Sequence, residues 1–138
     1  MSATVFNSLG ETLQLVGRVS LAVPESSHWA LLWGAKQALE HPEAVRRLDL
    51  RDGHVNPDGK RWDDETHKHL WSAADGNDWA YTPDDIPHEV GPSRVGPDDY
   101  RAIFEAFAME CGIGFGLDYR WTDPVLDLPA QTDLWEVP

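Results

Sequence analysis

At 138 residues with 41% hydrophobic side chains, the chain is long enough to enclose one sizeable core but not two, so a single domain over 1–138 is expected. Its 24 acidic and 11 basic residues give a formal charge of −13, while 10% aromatics, seven of them tryptophan, exclude a disordered acidic chain. The lone Cys111 excludes an intramolecular disulfide and thiolate-rich zinc folds, and no signal-like or membrane-length apolar run occurs, which points to a soluble, cytoplasmic protein with no membrane partner.

From the amino terminus, "ATVFN" (3–7) and "TLQLVGRVSLAV" (12–23) read as a hairpin, because Leu13, Leu15, Val19, Leu21 and Val23 recur with period two. Ser26 or Ser27 can then cap a helix through "HWALLWGAKQALEH", where Trp29, Leu31, Leu32, Trp33, Ala35, Ala38 and Leu39 cover most of the circumference. Pro42 ends that helix, and "AVRRLDLRDG" returns to alternation, with Leu48 and Leu50 on one face and Arg47, Asp49 and Arg51 on the other. "NPDGK" is a turn: Pro57 presets its φ, Asp58 tolerates the next position and Gly59 accepts positive φ. "KRWDDETHKHLWS" is the returning strand and "DWAYT" (78–82) a further one.

The stretch 83–98 holds four prolines and two glycines and reads as a loop. A second helix follows in "PDDYRAIFEAFAMECG", with Tyr100, Ile103, Phe104, Phe107 and Cys111 on one face and Gly112 past its end, so Cys111 should be an inert packing thiol. "FGLDYRW" reads as a last strand, and 122–138 as a proline-punctuated tail that docks through Leu126, Leu128, Leu134 and Trp135. The expected class is α+β: an antiparallel sheet of about five or six strands packed with two helices.

With Pro57 and Asp58 at the turn centre, antiparallel pairing sets His67 across from Asp49 and His69 across from Arg47. Arg47, Asp49, His67 and His69 then share a polar face, while Leu48, Leu50 and Leu70 face the core. Lys68 is turned inward, which requires a place near the sheet edge, unless a slip or bulge at "DDET" intervenes. Three chemistries suit this face. His67, His69 and Asp49, with His54 further along the sheet, are metal-ligand types, but they do not converge in this register, so no metal and no cofactor is expected. His67 as general base, with His69 or Arg47 as acid or phosphate clamp and Asp49 beside them, suits metal-free RNA cleavage, where the 2′-hydroxyl is the internal nucleophile. A purely structural alternative pairs His67 with Asp49 and leaves His69 partly exposed.

The series "RRLDL", "HVNPDG", "HKHLW", "WAY" and "CGI" resembles a family of small bacterial and prophage proteins of unknown function. That pattern runs R-x-D-L, H-x-N-P-D-G, H-x-H, W-A-Y and C-N-I, and it departs here where Gly112 replaces an asparagine. The matching positions are Arg47, Asp49, His54, Asn56 to Gly59, His67, His69, Trp79 to Tyr81, Cys111 and Ile113. The resemblance implies a mobile-element or defence-related setting and no reaction.

Residues 46–69 carry six basic and six acidic groups, so the remainder of the chain holds the whole −13. Such a surface repels nucleic acid. The doublets Asp63-Asp64 and Asp84-Asp85 could instead imitate a phosphate backbone, whereas Asp98-Asp99 suits a helix start. The leading expectation is therefore a non-enzymatic acidic inhibitor whose Asp63, Asp64, Asp84 and Asp85 bind a protein partner with a basic, nucleic-acid-binding surface. The alternative is a small metal-independent, toxin-like ribonuclease using His67, His69, Arg47 and Asp49, and nucleic acid is a partner only in that case.

Overall fold

Short runs of alternating apolar residues fold the described part of this chain into an antiparallel meander. The computed structural model describes residues 2–20, 26–34, 42–86 and 97–122. Strands β1 (Ser2–Phe6), β2 (Thr12–Val19), β3 (Ser27–Trp33), β4 (Glu43–Val55), β5 (Arg61–Leu70) and β6 (Ala80–Tyr81) pair in sequence order, and helix α1 spans Pro97–Glu110. One face of the sheet packs against α1, joining Leu15, Trp29, Leu31, Leu48 and Leu50 to Tyr100, Ile103, Phe104, Phe107 and Ala108. The opposite face carries the polar residues.

The two-helix α+β expectation is corrected here: the described residues form a sheet-rich fold with one helix. The segment expected to be the first helix is β3 as far as Trp33, and residues 35–41 lie outside the described residues. Its apolar content is explained by a strand between two neighbours. Ser27, Trp29 and Leu31 are buried toward α1, while His28, Ala30 and Leu32 are half-buried on the other face. Gly17 on β2 makes room for this arrangement, because a Cβ there would lie 2.3 Å from the Trp29 ring.

The later helix follows the expected pattern, with Tyr100, Ile103, Phe104 and Phe107 buried. Its end is closed by Ile113 N–H donating to Ala108 O at 2.9 Å and Gly112 N–H to Met109 O at 2.9 Å, with Gly112 at φ 71°. Burial pushes the Cys111 thiol up to about 12, as suits a packing residue. The expected strand at 115–121 is also corrected. Tyr119 N–H donates to Gly116 O at 3.0 Å, making a turn that stacks Tyr119 on Phe115 at 4.3 Å between ring centres. Most of the proline-rich loop (87–96) and the tail from 123 onward lie outside the described residues. No helix among the described residues is long and apolar enough to cross a membrane.

Candidate acid–base site

The β4–β5 hairpin builds the polar face. In its turn, Gly59 N–H donates to Asn56 O and Asn56 N–H to Lys60 O, both at 2.8 Å, with Gly59 at φ 89°. Asp49 stands opposite His67 and Arg47 opposite His69, as the turn position requires. Between that pairing and the turn the register shifts twice. β4 gains one residue between Asp49 and Asp52, and β5 gains one between Glu65 and Trp62. Arg51 (φ 48°) and Asp64 (φ 61°) absorb these two compensating bulges, and their side chains form an ion pair at 2.5 Å. The inserted residue on β4 inverts the alternation, so Asp52 and His54 join Asp49 on the polar face. His54 thereby reaches His67 and His69, with ring centres at 5.6 and 4.5 Å.

Asp49 is the hub. Fully buried, it accepts from His28 Nδ1 at 3.0 Å through Oδ1 and from Arg47 Nε at 2.6 Å through Oδ2. His67 Nε2 and His69 Nε2 lie 3.4 and 3.3 Å from the same Oδ2. Burial alone would raise this carboxyl, but the His28 hydrogen bond and the Arg47 charge outweigh it and hold Asp49 well below the usual carboxylate range.

The buried His67 and His69 and the half-buried His54 are oriented by backbone carbonyls. His67 Nδ1 donates to Glu65 O at 3.0 Å, His69 Nδ1 to Asn77 O at 2.9 Å and His54 Nε2 to Asp78 O at 2.9 Å. His69 Nε2 then accepts from Arg47 at 2.9 Å, which fixes it as a neutral imidazole, and burial lowers its pKa in the same direction. The carbonyls of Asn77 and Asp78 are placed by Asn56, whose side chain accepts from Ala80 N–H at 2.8 Å and donates to Ala80 O at 3.0 Å. Asn56 thus staples β6 and the preceding loop against the hairpin.

On the far side of Asp49 a cleft of about 390 Å³ opens over β2, β3 and β4. Its polar groups are Arg18, His28, Arg47, Asp49 and Asp52, and its floor is Val16, Ala30, Leu32 and Ala44. Arg18, His28, Asp49 and His67 form one row across four strands. His28 has 42% of its side chain exposed. With Nδ1 engaged by Asp49, its other ring nitrogen is the one left for proton exchange in the cleft. The Asp49 hydrogen bond, opposed by burial, raises the His28 pKa, and the Asp52 carboxylate 3.7 Å away acts in the same direction.

The structure therefore brings Arg47, Asp49, His67 and His69 together but buries both histidines, so His69 is not the partly exposed residue the sequence suggested. His54, expected to lie apart, converges with them, and one ring nitrogen of each of the three lies within 4.8 Å of the others. An ion would compete with an existing occupant there, because both nitrogens of His69 are engaged and the Arg47 guanidinium stands at Nε2. Lys68 points into the α1 side as expected and is paired with Asp85 and Glu110. Of the doublet acids, Asp63 faces Arg61, Asp64 pairs with Arg51, Asp85 with Lys68, and Asp84 is exposed. His28 and Arg18 were missed, the first because its strand read as a helix. The signal that could have found His28 is the alternation of Trp29 and Leu31 against it over only seven residues.

The sequence profile of a family of unknown function, DUF6978, matches residues 36–113, more than half of the chain and the whole β4–β5 hairpin. The chain belongs to the DUF6978 family. The matched stretch supplies Arg47, Asp49, His54, His67 and His69, while Arg18 and His28 lie before it. Neither a curated protein nor a solved structure matches the chain.

Proposed function

We propose that the cleft is an acid–base site for a phosphate-bearing substrate, in which His28 moves the proton. The observation that carries this is the His28–Asp49 pair, a half-exposed imidazole held at 3.0 Å by a buried carboxylate that is itself fixed from behind. A carboxylate on Nδ1 sets the tautomer and steadies the imidazolium, so the other nitrogen can take and return a proton. Arg18 and Arg47 supply guanidiniums for a phosphate. Asp49 and Asp52 offset those two charges, so the cleft gains net positive charge only when His28 is protonated. His69, flanked by the His54 and His67 rings, is a positioning residue, which holds Arg47 and touches no cleft substrate itself.

This reading shifts proton transfer from the His67/His69 pair to His28 and favours an enzyme over an acidic inhibitor, because Asp64 and Asp85 are already engaged by cations of this chain. Calorimetric titration with inorganic phosphate in excess chelator tests it. One phosphate should bind per chain, more tightly at pH 6 than at pH 8, and less tightly in Arg18→Ala, whose exposed side chain can be removed without disturbing the core. No binding, or binding unchanged in Arg18→Ala, would refute it.

A further inference from the structure

We infer that the substrate is a short ribonucleotide phosphodiester, cleaved by attack of its own 2′-hydroxyl. This rests on the acid–base reading of the cleft and names its substrate.

Four observations converge. The polar side chains lining the cleft are two guanidiniums, one imidazole and two carboxylates, so the attacking oxygen comes from the substrate or from water. A neighbouring hydroxyl is a stronger candidate than water, since holding nucleophile and phosphorus in one molecule replaces an encounter step with a rotation. The charges of Arg18 and Arg47 are matched by Asp49 and Asp52, which suits the single negative charge of a diester better than the double charge of a monoester. The floor of Val16, Ala30, Leu32 and Ala44 is apolar, and about 390 Å³ accommodates one nucleoside against it. Length is limited by the formal charge of −13, because each further phosphate of a long strand adds repulsion outside the neutral hairpin.

The step balances without an added reagent. His28 takes the 2′-hydroxyl proton as the O2′–P bond forms and the P–O5′ bond breaks. Arg18 and Arg47 hold the non-bridging oxygens as their charge grows. The departing O5′ takes a proton from water in the open cleft, and His28 returns its proton to solvent. The products are a 2′,3′-cyclic phosphate and a 5′-hydroxyl. The groups facing His28 are Asp49, Asp52 and Arg47 from β4 and Arg18 from β2. Cleavage requires the neutral imidazole, so its rate should rise with pH through the raised His28 pKa.

The test uses the full chain with the dinucleotide UpA, its 2′-O-methyl analogue and a 30-mer RNA in chelator, with products identified by mass. UpA should yield uridine 2′,3′-cyclic phosphate and adenosine, the analogue should stay intact, and the 30-mer should be cut more slowly per bond. His28→Ala and His28→Gln should each lower the UpA rate at least about 100-fold. Two substitutions guard against a misfolded variant, and their hairpin amide spectra should match the parent. Cleavage of the 2′-O-methyl analogue, faster cutting of the 30-mer per bond, or intact UpA in a protein that binds phosphate would overturn this substrate assignment and leave the acid–base cleft standing. Loss of phosphate binding itself would remove both.

Discussion

Asn56 offers the sharpest test of how the fold supports the site. Its side chain makes both backbone bonds of Ala80, at 2.8 and 3.0 Å, and is only 5% exposed. In Asn56→Ala a buried N–H and a buried C=O lose their partners together, and each orphaned group costs about 1–3 kcal/mol. Partial entry of water at the sheet edge offsets the upper end, so a loss of roughly 2–4 kcal/mol is expected. For a chain of this size that corresponds to a fall in Tm of about 7–14 °C. Urea denaturation gives the free energy, and amide exchange at Ala80 localises it. Because the same staple sets the carbonyls of Asn77 and Asp78, the His69 and His54 ring resonances should broaden as well. A loss below about 0.5 kcal/mol with unchanged Ala80 exchange would refute the staple.

Three further outcomes are expected. Phe104→Ala removes a ring that lies 5.4 Å from both Trp29 and Trp121, and should cost about 3–5 kcal/mol in denaturant melts; a near-unchanged midpoint would contradict the packing of α1 on the sheet. Gly17→Ala drives a Cβ into the Trp29 ring, and should cost about 1–3 kcal/mol with a shifted Trp29 indole resonance; a stability equal to the parent would show that the ring is not where β2 requires it. The His54–His67–His69 cluster should hold no stoichiometric transition ion, because Arg47 holds His69 Nε2; one ion per chain by elemental analysis, lost in His67→Ala/His69→Ala, would show that Arg47 gives way to a metal.

The hairpin was legible because "NPDG" pins its own register: once Asn56 and Gly59 close the turn, Asp49 must face His67 and Arg47 must face His69. The same logic placed Lys68 inward, next to the short strand β6 at the sheet edge, where Asp85 and Glu110 meet it. Of the double bulge, the half on β5 is legible, because Asp64 lies in the "DDET" stretch where a slip or bulge was the alternative, and the half on β4 is not. Arg51 carries no turn signature and takes positive φ at the inserted residue of β4, yet that insertion turns Asp52 and His54 toward Asp49. β3 was misread for a different reason. A seven-residue run buried on one face and half-buried on the other is apolar all round, and such a run imitates a buried helix until its neighbouring strands are known. His28, and with it the open side of the site, was hidden by that ambiguity.

Asp49 is proposed to poise His28 for proton transfer, and an NMR titration of the His28 ring in the full chain measures this directly. Its pKa should lie above the ordinary 6.5, and it should fall in Asp49→Asn. A raised pKa also means that the pair stabilises the fold fully below 6.5 and loses that contribution as pH rises through the raised value, so His28→Ala should cost more stability at pH 5.5 than at pH 8.5. A His28 ring that titrates at or below 6.5, or one indifferent to Asp49→Asn, would contradict the claim.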